Sequence, residues 1–212
     1  MFDYYFFDLD GTLTNPAKGI TNSFIHALNF FGIEIPSYET LCTFIGPPLV
    51  TTFKEKFGFD EQKAKLGVVK YREYFAQKGL LENELISGIE DFLKALKERG
   101  KHLVVATSKP EEYSVRILEH FKLASYFEYI CGSNMDETRS KKGEVIAYAL
   151  ERSGNPDKSA VLMTGDREHD IIGAKENNIK SCGVLVGFGT REELVNAGAD
   201  YIAENLNDIL QF

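Results

Sequence analysis

Several short apolar runs each end in a small polar or acidic residue, and this feature most limits how the chain can fold. Tyr4-Tyr5-Phe6-Phe7 ends at Asp8, Leu103-Val104-Val105-Ala106 at Thr107-Ser108, and Ala160-Val161-Leu162-Met163 at Thr164-Gly165-Asp166. Ser181 to Val186 is a further run, and Phe127 to Cys131 a weaker one. Continuous rather than alternating apolar character suits strands covered on both faces, as in a parallel sheet. Helical stripes lie between the runs. Ile89, Phe92, Leu93 and Leu96 share one face, and Gly100 follows as a stop. Val115, Leu118 and Phe121 recur after Pro110, which suits a first-turn position. Val145, Ile146, Ala149 and Leu150 form another stripe, closed by Gly154-Asn155-Pro156. Strand and helix alternate from about residue 102 onward. The pattern predicts an α/β fold built on a doubly wound, mainly parallel, Rossmann-like sheet.

Residues 15–84 break this rhythm. Ile20, Phe24, Leu28 and Phe31 make an amphipathic stripe ending near Gly32, and the stretches 48–57 and 60–78 are rich in Lys, Glu, Phe and Tyr without a strand pattern. The segment reads as an all-helical insertion whose phenylalanines form a small core of their own. The expected division is 1–14 with 85–212 as the α/β core, and 15–84 as the insertion. The insertion holds eight basic and eight acidic residues, so the whole net charge of −8 belongs to the core.

Composition excludes several classes. A chain of 212 residues, 43% hydrophobic and 26% charged, has room for a core plus a smaller companion. Its negative balance argues against nucleic acid or an anionic membrane as partner. No apolar run is long enough to span a bilayer, and Met1 to Phe7 is too short for a signal peptide. Cys42, Cys131 and Cys182 are scattered, with no CxxC, so they read as buried, reduced cysteines of a cytoplasmic protein rather than a disulfide framework or zinc site.

The strand ends carry the chemistry, because open α/β sheets bind ligands outside the carboxyl ends of their strands. Asp8-Leu9-Asp10-Gly11-Thr12 sets two carboxylates one residue apart, with Gly11 permitting a tight turn. Such a pair can hold a hard divalent cation, or divide labour as nucleophile and proton donor. Thr107-Ser108 offers hydroxyl and backbone N–H groups for a phosphate oxygen, or a helix N-cap. Lys141-Lys142-Gly143 opens the helix of Val145 and Ile146. Lys142 shares that buried face and Lys141 does not, which selects Lys142 as the cation pointing inward. Gly165-Asp166-Arg167-Glu168-His169-Asp170 adds Asp166 directly after a strand and Asp170 four residues on. With Asp8 these two can complete a magnesium site. His169, between two acids, reads as a supporting or exposed residue rather than a general base.

Taken together, Asp8-x-Asp10-Gly11-Thr12, Thr107 after a strand, Lys142 at a helix start and Gly165-Asp166-x-x-x-Asp170 resemble the haloacid dehalogenase superfamily over essentially the whole chain. The insertion resembles the helical cap of its phosphoglycolate phosphatase-like group. Phe44-Ile45-Gly46-Pro47-Pro48-Leu49 and Gly183 to Gly189 look like bacterial members called phosphoglycolate phosphatase or 5′-nucleotidase. The resemblance implies a Mg2+-dependent phosphatase of small phosphorylated metabolites. A phosphoglycolate-like substrate is favoured, a nucleoside monophosphate comes next, and a sugar-phosphate mutase or a non-catalytic phospho-accepting module stands further off. In such a protein Asp8 attacks phosphorus, Asp10 exchanges the proton, and Thr107, Ser108 and Lys142 bind phosphoryl oxygens. Asp8, Asp10 through its backbone carbonyl, Asp166 and Asp170 form the metal site. Asn15, Ile45, Gly46 and Pro47 are the implied specificity positions. Relatives that cleave carbon–halogen bonds lack the second aspartate, so Asp10 favours phosphate chemistry. Monomer and dimer are both compatible with the sequence.

Overall fold

The computed structural model describes residues 2–136 and 138–212. The chain divides into two compact units: residues up to Asn15 together with Leu85–Phe212, and Pro16–Glu84. It begins with strand β1 (Tyr4–Phe7), and the short strands β2 (Thr14–Asn15) and β3 (Glu84–Leu85) mark the two crossings.

The second unit is helical: α1 (Ala17–Phe30), α2 (Tyr38–Cys42), α3 (Leu49–Phe57), α4 (Glu61–Tyr74) and a π-helical turn at Phe75–Gly79. Ser37 caps α2 and Asp60 caps α4, each accepting a backbone N–H of the first turn. Gly58, in the left-handed region at φ 65°, closes α3. The centre is aromatic. The Phe24 ring lies 5.4 Å from Phe44, 5.5 Å from Phe53 and 5.1 Å from Tyr71. Cys42 is only half-buried, unlike Cys131 and Cys182, so the expectation of three buried thiols fails at the end of this short helix.

The first unit continues with α5 (Ile89–Glu98), β4 (His102–Pro110), α6 (Glu111–His120), β5 (Tyr129–Ser133), α7 (Lys142–Arg152), β6 (Val161–Gly165), α8 (Glu168–Glu176), β7 (Lys180–Val184), α9 (Arg191–Ala197), β8 (Tyr201–Ala203) and α10 (Leu206–Ile209). Six strands form one sheet in the order β5-β4-β1-β6-β7-β8, and every neighbouring pair is parallel. Counted within this sheet, that is the doubly wound order 3-2-1-4-5-6, which reverses direction at β1.

The pleat sorts the β1 aromatics. Phe6 joins Val104, Ala106, Cys131 and Met163 against Val145, Ile146, Ala149 and Leu150 of α7. Phe7 faces the other way, with its ring 5.9 Å from Phe92 of α5. Both faces are therefore covered, the physical reason the strands read as unbroken apolar runs.

Two details differ from the sequence reading. The buried face of α6 is Tyr113, Ser114, Ile117 and Leu118, two adjacent pairs one turn apart, while Val115 and Phe121 of the expected stripe are half-buried; Pro110 ends β4 rather than standing in the first turn. β8 has only three residues beside Asp200 and Glu204, too short to leave an apolar run. Among the described residues no helix is long and apolar enough to cross a membrane.

Phe24→Ala should lower the unfolding free energy of the helical unit by about 3–5 kcal/mol, the usual cost of emptying an aromatic core position. Urea denaturation followed by circular dichroism checks this; a loss below about 1 kcal/mol would show that the aromatic centre does not hold that unit together.

Candidate active site

The reversal of strand order leaves the carboxyl ends of β1, β4 and β6 side by side, and the charged groups gather there. Asp8 directly follows β1, and its backbone N–H donates to Thr164 O at 2.9 Å. Asp166 directly follows β6, and Asp170 lies in the first turn of α8. These three carboxylates offer oxygen atoms all within 4.8 Å of one another, and all three residues are buried.

Lys142, the first residue of α7, ties the cluster together. Its ammonium lies 2.7 Å from Asp8 Oδ1 and 2.8 Å from Asp170 Oδ1, and donates to the Ala106 carbonyl of β4 at 3.2 Å. Lys141, one residue earlier, is exposed. Burial disfavours the Lys142 charge, but Asp170 and Asp8 outweigh it and hold its pKa above the ordinary lysine value.

Asp166 has no cationic partner among these contacts. Its Oδ2 accepts the Phe188 backbone N–H at 2.7 Å, and its Oδ1 accepts the Thr12 hydroxyl at 3.5 Å. Two glycines wrap it. A Cβ on Gly11, whose φ is +85°, or on Gly187 would lie 2.3 Å from Asp166 Oδ2. Burial, with the charges of Asp170 and Asp8 adding to it, pushes the Asp166 carboxyl up to about 8. Burial also raises Asp170 to about 6, against the opposing pull of Lys142. Asp170 Oδ2 accepts the Arg167 backbone N–H at 3.1 Å, which closes the start of α8, and a Cβ on Gly165 would lie 2.1 Å from Asp170 Cγ.

Three carboxylates around one ammonium leave a surplus of two negative charges when all are ionised. That balance, and an all-oxygen donor set, fit a hard divalent cation.

Asp10 stands apart. Its carboxylate does not join the cluster; Oδ2 is ion-paired with the Lys109 ammonium. Burial raises the Asp10 carboxyl above its usual value, with Lys109 acting in the opposite direction. Lys109 is absent from the residues singled out in the sequence, although the Thr107-Ser108-Lys109 run contains it. The signal is a lysine just past a strand end, meaningful only once β4 is known to neighbour β1. Thr107 is buried and its Oγ1 accepts the Lys109 backbone N–H at 3.3 Å. It is not the cap of α6, where Pro110 stands. Ser108 is half-buried beside it. His169 is half-buried, and burial lowers its pKa.

Of the specificity positions, Asn15 is exposed at the end of the first unit. In the helical unit Ile45 is only 1% exposed, while Gly46 is exposed at φ +112° and Pro47 is half-buried. Burial of Ile45 leaves Gly46 and Pro47 as the residues of that trio open to a ligand.

Known proteins are similar to this chain in sequence and fold. The family described as haloacid dehalogenase-like hydrolase matches residues 5–184. A 5′-nucleotidase of Pseudomonas aeruginosa is 46% identical over 188 residues, covering 89% of this chain and 85% of that protein. The tyrosine-protein kinase PtkA of Mycobacterium tuberculosis is 40% identical over 183 residues, covering 86% of this chain but only 61% of the kinase. The crystal structure of a predicted phosphatase from Clostridium acetobutylicum superposes with a TM-score of 0.96 at 50% identity, covering all of both chains. A match that begins in β1 and runs through the sheet as far as β7, on a fold that brings Asp8, Asp166, Asp170 and Lys142 to one point, makes the chain a member of the haloacid dehalogenase-like hydrolase family.

Proposed function

We propose that this protein hydrolyses small phosphomonoesters through an aspartyl-phosphate on Asp8. The supporting observation is the contact of one buried ammonium, Lys142, with Asp8 and Asp170, in a cluster whose three carboxylates, when ionised, outnumber it by two charges. An Asp8 oxygen attacks phosphorus, and the bond from phosphorus to the ester oxygen breaks. Asp10 gives its proton to the departing alkoxide, which leaves as an alcohol. Asp10 then takes a proton from water, the water oxygen attacks the aspartyl-phosphate, and the bond from phosphorus to Asp8 breaks to release phosphate. Lys142 orients Asp8 through its contact with Oδ1, and Thr107 with Ser108 offers donors to the phosphoryl oxygens. Asp8 and Asp166, with Asp170 in support and the backbone carbonyl of Asp10 as a further ligand, would hold Mg2+, which would supply positive charge to the transferring phosphoryl group. The name of the Pseudomonas relative supports a nucleoside 5′-monophosphate as substrate, ahead of the phosphoglycolate-like ester that the motifs alone favour. Asn15, Gly46 and Pro47 are the residues assigned to that choice. Unpaired thiols at all three cysteines agree with a cytoplasmic setting.

A panel of phosphorylated metabolites, assayed for released phosphate with Mg2+ present, tests the reading. Asp8→Asn should lower turnover by roughly a thousandfold or more while leaving the fold intact. Activity within about tenfold of wild type would remove Asp8 as nucleophile. A labelled protein that never releases phosphate would point to a phospho-accepting module instead.

Lys142→Met should cost far more activity than Lys141→Met, because only the former strips the Asp8–Asp170 contact. Equal losses in steady-state kinetics would contradict the role given to Lys142.

Asp166 and Asp170 bind protons more tightly in the folded chain than the usual aspartate value of 3.8. The metal-free fold therefore gains stability from protonating them at low pH and loses it as pH rises from about 4 to about 8. Chelator-treated protein should show that decline in denaturant titrations, Asp166→Asn should flatten it, and Mg2+ should offset it and restore activity. A wild-type slope unchanged by Asp166→Asn would contradict the site's electrostatics.

A further inference from the structure

The mechanism asks two carboxylates, Asp8 and Asp10, to do different work from positions only two residues apart. Nothing in the Asp8-x-Asp10 spacing separates them, and a carboxylate beside a cluster built for a divalent cation is drawn in as another ligand. Lys109 supplies the separation. Its side chain is 7% exposed and that of Asp10 is 14% exposed, so the pair is poorly screened by water. Its backbone N–H donates to Thr107 Oγ1 at 3.3 Å, which anchors the main chain at that point. The parallel pairing of β1 with β4, with Phe7 opposite Val105, sets the two strand ends side by side and brings Lys109 to Asp10. Lys109 takes Asp10 Oδ2, whereas Asp10 Oδ1 is buried without a hydrogen-bond partner among the described residues. Asp10 thus has one oxygen held and one oxygen left for a reactant.

Resting on the phosphomonoesterase reading above, we propose that Lys109 is a positioning residue: its ammonium pins one oxygen of Asp10, keeps that carboxylate out of the Asp8–Asp166–Asp170 cluster, and leaves the other oxygen to exchange the proton with ester and water. Lys109 acts through Asp10, so its loss matters in proportion to how much the leaving group needs a proton.

The test compares two esters by kcat/KM, which reports the phosphorylation step. A nucleoside 5′-monophosphate or phosphoglycolate releases a poor alkoxide that needs protonation. p-Nitrophenyl phosphate releases a phenolate that does not. Lys109→Met should lower kcat/KM for the alkyl ester roughly 100-fold, the scale of general acid catalysis, and for p-nitrophenyl phosphate by about threefold at most. Lys109→Gln serves the same comparison should the methionine variant fail to fold, which a thermal melt reports. Equal losses on both esters, carried in KM, would make Lys109 a substrate-binding cation and overturn the proposal. So would a loss below about threefold on the alkyl ester. Wild-type protein that released phosphate from neither ester would instead sink the phosphomonoesterase reading, and this proposal with it.

Discussion

The Lys142 ammonium is the interaction on which the rest of the site depends. A buried ammonium costs several kcal/mol in lost hydration unless every donor is met. Here Asp8, Asp170 and the Ala106 carbonyl meet its donors. Those partners belong to the end of β1, the first turn of α8 and strand β4, so one side chain registers three elements against α7. The approach needs small residues. A Cβ on Gly165 would strike Asp170, and a Cβ on Gly173 of α8 would come within 2.9 Å of Lys142 Cγ. The same packing that buries the charge thus sets the distance between the two carboxylates it bridges.

Lys142 neutralises only part of what surrounds it. Asp166, fully buried and held by the Phe188 N–H and the Thr12 hydroxyl, takes up the imbalance in its raised pKa. A fold selected for stability alone would not place a third carboxylate there, since unpaired buried charge is among the most destabilising features a core can carry. The strain is local and purposeful in the proposed reaction. A cluster with two negative charges beyond its ammonium is balanced by one divalent cation. Asp10 escapes this competition because Lys109, from the neighbouring strand, occupies it.

What the sequence revealed follows from where its information lies. Asp8 and Asp166 stand directly after unbroken apolar runs, so their place at strand ends was legible once those runs were read as buried strands. Lys142 was separable from Lys141 because only one lies on the face of Val145 and Ile146, and the structure buries Lys142 and exposes Lys141. Lys109 was not legible, because its meaning depends on β4 lying beside β1, a long-range pairing with no local signature. The Phe188 contact was hidden for another reason: a backbone N–H makes it, and no side-chain pattern encodes it. The helical unit gave up its amphipathic α1 but not its π-helical turn at Phe75–Gly79, which differs from ordinary helix by one step of hydrogen bonding rather than by composition.

The central claim is that the oxygen of Asp8 is the atom to which phosphorus becomes bonded. Acid quenching during turnover, followed by peptide mass spectrometry, reads this directly. The account predicts a phosphoryl group on the peptide containing Asp8, lost on further incubation with water. A phosphoryl group on any other residue, or turnover with no labelled peptide under conditions that preserve acyl phosphates, would contradict it.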